Sequence, residues 1–384
     1  MEFWLTEEQV MFRDSVARFL ADRHAIGDRL RARSDAAAFS DAEWRSIAEL
    51  GWLAAPFPEA YGGIGGSTTD MALVMEQLGR VLLPCPYLSS VVLGGTMLLH
   101  CGSARQKERF LAKICAGEMR VALAYAESSA GSDLSRMAAV ARPVAGDYEI
   151  SGSKTFVLDG GLADCLLVAA RSADGPGDGR LSIFAVPRAA AGIRVEPHRM
   201  RDGSETATIH FSSVRAGPED VIGRPGQGAE LLGRVLDVAA AMICMEAVGA
   251  MWAAYHLTLD YMKVRTQFGQ KIGSFQALQH RMVDVYTQCQ MAQSIAMGAV
   301  AALESDDAAL RTRMCSAAKL RVGATARKVG EECVQLHGGI GMTREHPVGH
   351  YLKRLNGIRT SFGDENHHLQ RYVACFDPDN YASR

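Results

Sequence analysis

Not one C-x-x-C pair occurs among the nine cysteines of this 384-residue chain, and the odd total leaves no complete disulfide set. That excludes a zinc ribbon or a disulfide framework and fits a reducing compartment. An excess charge of either sign is also missing. With 41 basic and 43 acidic residues the net charge is −2, so no broad attraction to nucleic acid or to an anionic membrane is expected. A phosphate-bearing ligand would have to be gripped locally. The opening MEFWLTEEQV carries acids where a signal peptide carries a basic region and an apolar core, which predicts a cytoplasmic protein. The most apolar stretch, VLDVAAAMICMEAVGAMWAAY, contains Asp237 and Glu246 and reads as a buried helix rather than a membrane span. Low-complexity tracts and internal repeats are absent.

What is present is a chain of ordinary globular composition, 48% hydrophobic and 22% charged, long enough for two or three domains. Thr6 with Gln9 and Ser40 with Glu43 form capping boxes ahead of helical apolar periodicity, and Gly51 is placed to stop the second helix. Helical patterns resume in DMALVMEQLGRVLL and ARQKERFLAKICAG after the loop PFPEAYGGIGG. From about residue 120 the pattern changes to short alternating runs (VALAYA, YEISGSKTFV, CLLVAAR, LSIFAVP, IRVEP and TATIHFSSV) punctuated by Gly, Asp and Pro. Long helical patterns follow at 229–262, 274–303, 307–334 and 346–356, and a last one starts at 366. The expected division is an N-terminal helical domain over 1–119, an antiparallel β domain over 120–228 and a helical bundle over 229–384.

Four segments carry candidate chemistry. YAESSAGSDLS, Tyr125 to Ser135, joins small residues to a Gly-Ser-Asp turn that leaves backbone N–H groups open to a flat or anionic ligand; a plain β-turn is the bland alternative. RTQFGQ places Arg265, Gln267 and Phe268 at a helix end, where a guanidinium and an amide beside an aromatic suit a diphosphate and an adenosine. QLHGGIGMTREHP supplies a Gly-rich joint at Gly338 and Gly339, which could equally be a helix C-cap. RTSFGDENHHLQRY sets Gly363-Asp364-Glu365-Asn366 before the final helix, and turn chemistry alone makes it a capping turn.

Together with PEAYGGIGG and GSKTFVLDGG, these motifs resemble the acyl-CoA dehydrogenase family in order and spacing over essentially the whole chain. The resemblance implies an α+β multidomain fold: an N-terminal helical domain, a middle antiparallel β-barrel and a C-terminal four-helix bundle. It also implies a homo- or heterotetramer with FAD at subunit interfaces, no membrane or nucleic-acid partner, and a cytoplasmic oxidoreductase of lipid metabolism and β-oxidation acting on a CH–CH group. The flavin side is implied to involve Tyr125, Ala126, Ser132, Phe156, Leu158 and Asn366. The diphosphate and adenosine side is implied to involve Arg265, Gln267, Phe268, Gln335, Gly338 and Gly339. Ser132, Asp237 and Gly363 are implied substrate contacts, and Asp133 lies nearby.

Asp364 stands where many members carry a catalytic glutamate that removes the α proton of an acyl-CoA, electrons passing to an electron-transfer flavoprotein. The resemblance implies that this carboxylate faces a dry pocket. Departures bear on activity. Aspartate is about 1.5 Å shorter in reach than glutamate; Ala239 occupies the alternative base position; Ala126, Leu158, Asp159 and Ala240 replace residues of other chemistry. Two further readings follow: a flavin oxidase similar to nitroalkane oxidases, which place Asp at the base position, and a poorly catalytic partner subunit of a heterotetrameric dehydrogenase. His367 and His368, adjacent and hence on different helix faces, suit a surface or flavin-proximal polar role better than a metal pair.

Overall fold

The computed structural model describes residues 5–27, 39–131, 133–173 and 179–376. In chain order the helices are α1 (Glu7–Arg23), α2 (Asp41–Glu49), α3 (Thr68–Val81), a π-helical segment Leu88–Gly95 running into α4 (Thr96–Cys101), and α5 (Ala104–Cys115). Eight strands follow: β1 (Val121–Ala124), β2 (Val140–Val144), β3 (Asp147–Leu158), β4 (Cys165–Ser172), β5 (Leu181–Pro187), β6 (Ile193–Arg199), β7 (Glu205–Ala216) and β8 (Val221–Ile222). Then come α6 (Gly228–Val264), a hairpin of β9 (Thr266–Gln267) and β10 (Gln270–Lys271), α7 (Gln276–Ala302), α8 (Ala308–His337), α9 (Val348–Thr360) and α10 (Glu365–Ala374).

The helix starts follow from side-chain chemistry. Thr6 accepts from the Gln9 N–H and Ser40 from the Glu43 N–H in complete capping boxes, and Ser103 with Gln106 forms a third. Gly51, at φ +79°, ends α2 as its position implies. The segment Leu88–Gly95 was not expected as helix. It is buried at every residue, so it shows no amphipathic period, and its Ser and Gly content weakens propensity.

The residues form two compact units, one within 1–37, 68–83 and 240–384, the other within 38–67 and 84–239, so the division falls inside α6. In the second unit the strands form one sheet of order β6-β7-β3-β2-β4-β5-β8, with β1 also paired to β4. The expected antiparallel barrel is corrected in two respects. The sheet is mixed: β1 and β2 both run parallel to β4, at Val121↔Cys165 to Ala124↔Val168 and at Val140↔Arg171 to Ala141↔Ser172. It is also open, ending at β6 and β8. Strand β8 has two residues, and the Gln106 amide donates to the Val221 and Glu219 carbonyls at 2.9 and 2.7 Å, occupying groups that further pairing would need. One face buries Ile150, Val157, Leu166, Phe184, Ile209 and Phe211.

In the first unit the long helices form the bundle that their periodicity implied. Glu246, 7% exposed inside apolar α6, is satisfied by Arg354, whose Nε and Nη2 donate to its two carboxylate oxygens at 2.5 and 2.8 Å. No helix among the described residues is long and apolar enough to cross a membrane. Helices α3 and α6 meet backbone to backbone. A Cβ on Gly79 would lie 2.0 Å from the Glu246 carbonyl oxygen, and one on Gly249 would lie 1.9 Å from that of Glu76. Gly249→Ala must push the helices apart, and overpacking of this kind costs about 1–3 kcal/mol; denaturant unfolding of Gly249→Ala beside a Gly233→Ala control, whose Cβ meets nothing, measures it.

Candidate active site

In the second unit the segment after β1 is stapled to β3. The Thr155 N–H donates to the Ala126 carbonyl at 2.9 Å, and the Lys154 ammonium reaches the Tyr125 carbonyl at 3.2 Å and Glu127 Oε1 at 2.6 Å. Lys154 is 0% and Glu127 6% exposed. Glu127 also accepts from the N–H groups of Ala138 and Ala139 at 2.6 and 3.1 Å. Burial acts to raise the Glu127 carboxyl, but Lys154 and these N–H donors outweigh it and hold the group below the usual carboxylate range. Lys154 is drawn down by burial against the opposing pull of Glu127. This pair was not identified from sequence; the lysine inside the buried-strand pattern GSKTFV was its only signal.

The staple fixes Tyr125 and Ala126, both half-buried, and burial pushes the Tyr125 phenol up to about 12. Ser132 lies outside the described residues. Asp133 is exposed, and one carboxylate oxygen accepts from both the backbone N–H and the hydroxyl of Ser135. Along β3 the register with β7 shifts between Lys154 and Val157, and in that bulge Phe156 takes φ +51° with 67% of its surface exposed. Bulges re-aim side chains, and a bulky residue in the left-handed region stores strain that elsewhere is avoided. Leu158 is half-buried, while Asp159 is tied inward, its Oδ2 accepting from the Ser89 hydroxyl at 2.6 Å. Asp237, the implied substrate contact on α6, is 2% exposed.

In the first unit a second phenylalanine is displayed in the same way. Gln267 pairs with Gln270 across a two-residue turn, Phe268-Gly269, with φ +54° and +79°, and Phe268 is 90% exposed. Positive φ at both central residues matches the hairpin twist, though a side chain as large as Phe is costly there. Arg265 and Gln267 on this hairpin are exposed, as are Gln335, Gly338 and Gly339 at the end of α8. A Cβ at either Gly338 or Gly339 would meet nothing within 4 Å, so the space beside that backbone is open.

The third positive-φ phenylalanine precedes Asp364. Helix α9 ends where Lys319, 3% exposed, donates to the Ile358 and Arg359 carbonyls at 2.8 and 3.3 Å. The chain then turns through Phe362 at φ +58° and Gly363 at φ +106°. A Cβ on Gly363 would lie 2.4 Å from the His367 ring, so glycine is required. His368, 1% exposed, donates from Nε2 to the Phe362 carbonyl at 3.1 Å, which leaves Nδ1 to accept from the Ser316 hydroxyl at 3.4 Å. This corrects the expectation of a surface role for His368: it is a buried clamp on the turn. Asp364 caps α10, Oδ1 accepting from the His367 N–H at 2.9 Å, and is exposed, as is Asn366. The dry setting implied for the carboxylate is not built by its own unit. Glu365 pairs with Arg359 at 2.7 Å. No metal-binding cluster occurs among the described residues.

Within the first unit, an exposed Phe268 held in strained backbone, an exposed Arg265 guanidinium and glycines beside open space suit an aromatic group joined to an anionic linker; within the second, the exposed Phe156 suits a flat aromatic ring. Family models agree with that inventory. The acyl-CoA dehydrogenase N-terminal, middle and C-terminal domain models match residues 6–118, 122–214 and 226–374. The chain belongs to the acyl-CoA dehydrogenase family. Members of this oxidoreductase family depend on FAD. The probable acyl-CoA dehydrogenase YngJ of Bacillus subtilis is 30% identical over 380 residues, covering 97% of this chain and 98% of its own length. A chain from the structure of the electron transferring flavoprotein of Acidaminococcus fermentans superposes with TM-score 0.90 at 27% identity, covering 97% of this chain and 98% of the other. One from a variant of the Tcur3481-Tcur3483 steroid ACAD superposes with TM-score 0.85 at 27% identity, covering 98% and 99%.

Two measurements test the supports of these segments. Lys154→Met leaves the Glu127 carboxylate buried without its cation, an uncompensated charge that costs about 3–5 kcal/mol; denaturant unfolding should show that loss together with reduced flavin content. His368 is pushed down to about 3, first by burial and then by Lys319, His367 and Arg371, against the opposing bond to Phe362. The unfolded chain therefore takes up a proton that the folded chain refuses. Stability contributed by this group is complete above pH 6.5 and falls toward pH 3 by about 1.4 kcal/mol per unit. Unfolding free energies of His368→Gln across that range should give a correspondingly flatter profile than the parent protein.

Proposed function

We propose that the chain catalyses α,β-dehydrogenation of an acyl-CoA thioester with Asp364 as the base. The reading rests on one observation: a carboxylate fixed by its own cap and by a clamped Phe-Gly turn, with one oxygen engaged and the other projecting outward. The α proton of a thioester is weakly acidic, and a positioned carboxylate removes it best when its geometry is preset. The cap keeps Oδ1 directed at the His367 N–H, so Oδ2 is the oxygen that takes the proton.

Phe156, with Tyr125 and Ala126, would hold the isoalloxazine, while Arg265, Gln267, Phe268, Gln335, Gly338 and Gly339 would hold diphosphate and adenosine of a neighbouring subunit's cofactor. When bound, FAD supplies the acceptor for the β hydride. We further assign electron transfer onward to an electron-transfer flavoprotein and a tetrameric assembly, in which the divisions at residues 119 and 228 separate three domains. The relation to a chain found with an electron transferring flavoprotein supports this direction.

A second reading draws on an asymmetry. Ala126 has no hydroxyl to offer and Asp159 spends an oxygen on Ser89, whereas the diphosphate-side residues are all exposed. Such a chain suits lending a wall to a different partner subunit's site, and the two-name steroid ACAD relative is in keeping with a heteromeric assembly.

Asp364→Asn separates capping from chemistry, because asparagine caps helices as well as aspartate does. The variant should keep its melting temperature and flavin content yet lose about 10²–10⁴-fold in the rate of flavin bleaching by acyl-CoA. Unchanged bleaching would remove Asp364 as base and leave the lending role.

A further inference from the structure

The two segments assigned above to diphosphate and adenosine lie at the ends of different helices, and within the first unit one three-ring contact joins them. Tyr261 is in the last turn of α6, and its carbonyl accepts from the Arg265 N–H at 2.9 Å. The Arg265 carbonyl in turn accepts from the Ile272 N–H at 2.9 Å, which closes the base of the hairpin that displays Phe268. His337 is the last residue of α8 and directly precedes Gly338. Its ring lies 4.5 Å from that of Tyr261 at an interplanar angle of 25°, a stacked pair.

His346 is the third member. Its ring is 4.5 Å from His337, tilted by 54°, and 6.3 Å from Tyr261. The residues between the two histidines therefore form a loop closed at its base, with Gly338 and Gly339 as its first residues. Gly341 lets that loop fold back, since a Cβ there would lie 2.8 Å from the Val334 carbonyl oxygen and 3.1 Å from the His337 Cβ. Burial, against the bond to Cys333, pulls His337 below the ordinary histidine value, and burial followed by His337 does the same to His346. Both rings are thus uncharged near neutral pH and meet without repulsion.

The nitrogens of His337 indicate that the faces of its ring, rather than its polarity, are what the segment uses. Nδ1 donates to the Cys333 carbonyl at 2.7 Å, one turn back in the same helix, which leaves Nε2 to accept. That nitrogen is buried and has no hydrogen-bond partner among the described residues, and the whole side chain is 3% exposed. A buried unpaired nitrogen is unfavourable, and here the compensation is the contact with Tyr261 and His346.

We propose that His337 is a positioning residue for FAD: its ring, set against Tyr261 and His346, fixes the Gly338-Gly339 backbone relative to the Arg265 hairpin, so that diphosphate and adenosine are gripped from two segments at once. The inference rests on the reading of those segments given above. His337 is too enclosed to touch the cofactor and acts through the backbone beside it.

The test titrates the flavin-free form of the assembled protein with FAD and, separately, with FMN, which lacks the AMP half, and reads binding by flavin fluorescence. The parent protein should bind FAD the more tightly. His337→Ala should weaken FAD about tenfold, the scale of one aromatic contact, and leave FMN unchanged. His337→Phe, which keeps a flat ring against Tyr261 and has no ring nitrogen, should recover FAD affinity to within about threefold of the parent. Unchanged FAD affinity in His337→Ala overturns the proposal. So does an equal loss for FMN, the mark of a general loosening, and so does a His337→Phe variant as weak as His337→Ala. Tyr261→Leu removes the ring from the α6 side; it should show the same selective loss, and its FAD affinity decides should His337→Ala fail to fold. A parent protein that binds FAD no better than FMN overturns the diphosphate-side reading itself and the inference with it, a failure visible without any variant.

Discussion

The ammonium of Lys319, buried between α8 and the end of α9, is the interaction on which the Asp364 turn depends. Helix ends leave carbonyls without partners, and burying them unpaired is costly. Lys319 takes two of them, at Ile358 and Arg359. Burial pulls this ammonium below the ordinary lysine range, against opposing influence from Cys244, Glu365 and Asp364. With those carbonyls satisfied the helix can stop there, and the chain bends through Phe362 and Gly363 into the cap of α10. His368 then fixes the bend from its far side. Every element holding Asp364 is thus a neighbour whose own polar groups need the same arrangement.

The second unit follows similar logic with an ion pair in place of a single cation. Lys154 and Glu127 have little to gain from charge attraction alone once desolvation is counted. Their value lies in what else they hold: the Tyr125 carbonyl on one side and the Ala138 and Ala139 N–H groups on the other. A loop of small residues, which could not pack itself into one shape, is thereby fixed against a bulged strand. The result is an exposed aromatic face beside a rigid main chain.

Much of the helical architecture was legible because its signals are local. Capping boxes at Thr6 and Ser40 and the apolar period of the last five helices specify starts and faces without tertiary help. The π-helical segment was not legible, since a stretch buried on every side has no period to read. Sheet closure failed for a related reason: whether β8 pairs onward or meets Gln106 is decided by residues more than a hundred positions apart. In the site, the turn chemistry of Gly363-Asp364 was visible, and so was the display of Arg265 and Phe268. The positive φ of Phe156 and the inward role of His368 were not, because both arise from register and burial that only the folded chain defines.

The meeting of α3 and α6 at Gly79 and Gly249 carries one more implication. Where two helices touch through main-chain atoms, no rotamer change can absorb a displacement. The angular phase of α3 is consequently set by two hydrogen-sized gaps. Sliding by a single residue would turn the helix by about 100° and sweep Leu73, Gln77 and Arg80 away from the positions they occupy. The rest of that helix can vary in side chain and still keep its bearing, provided those two points stay bare.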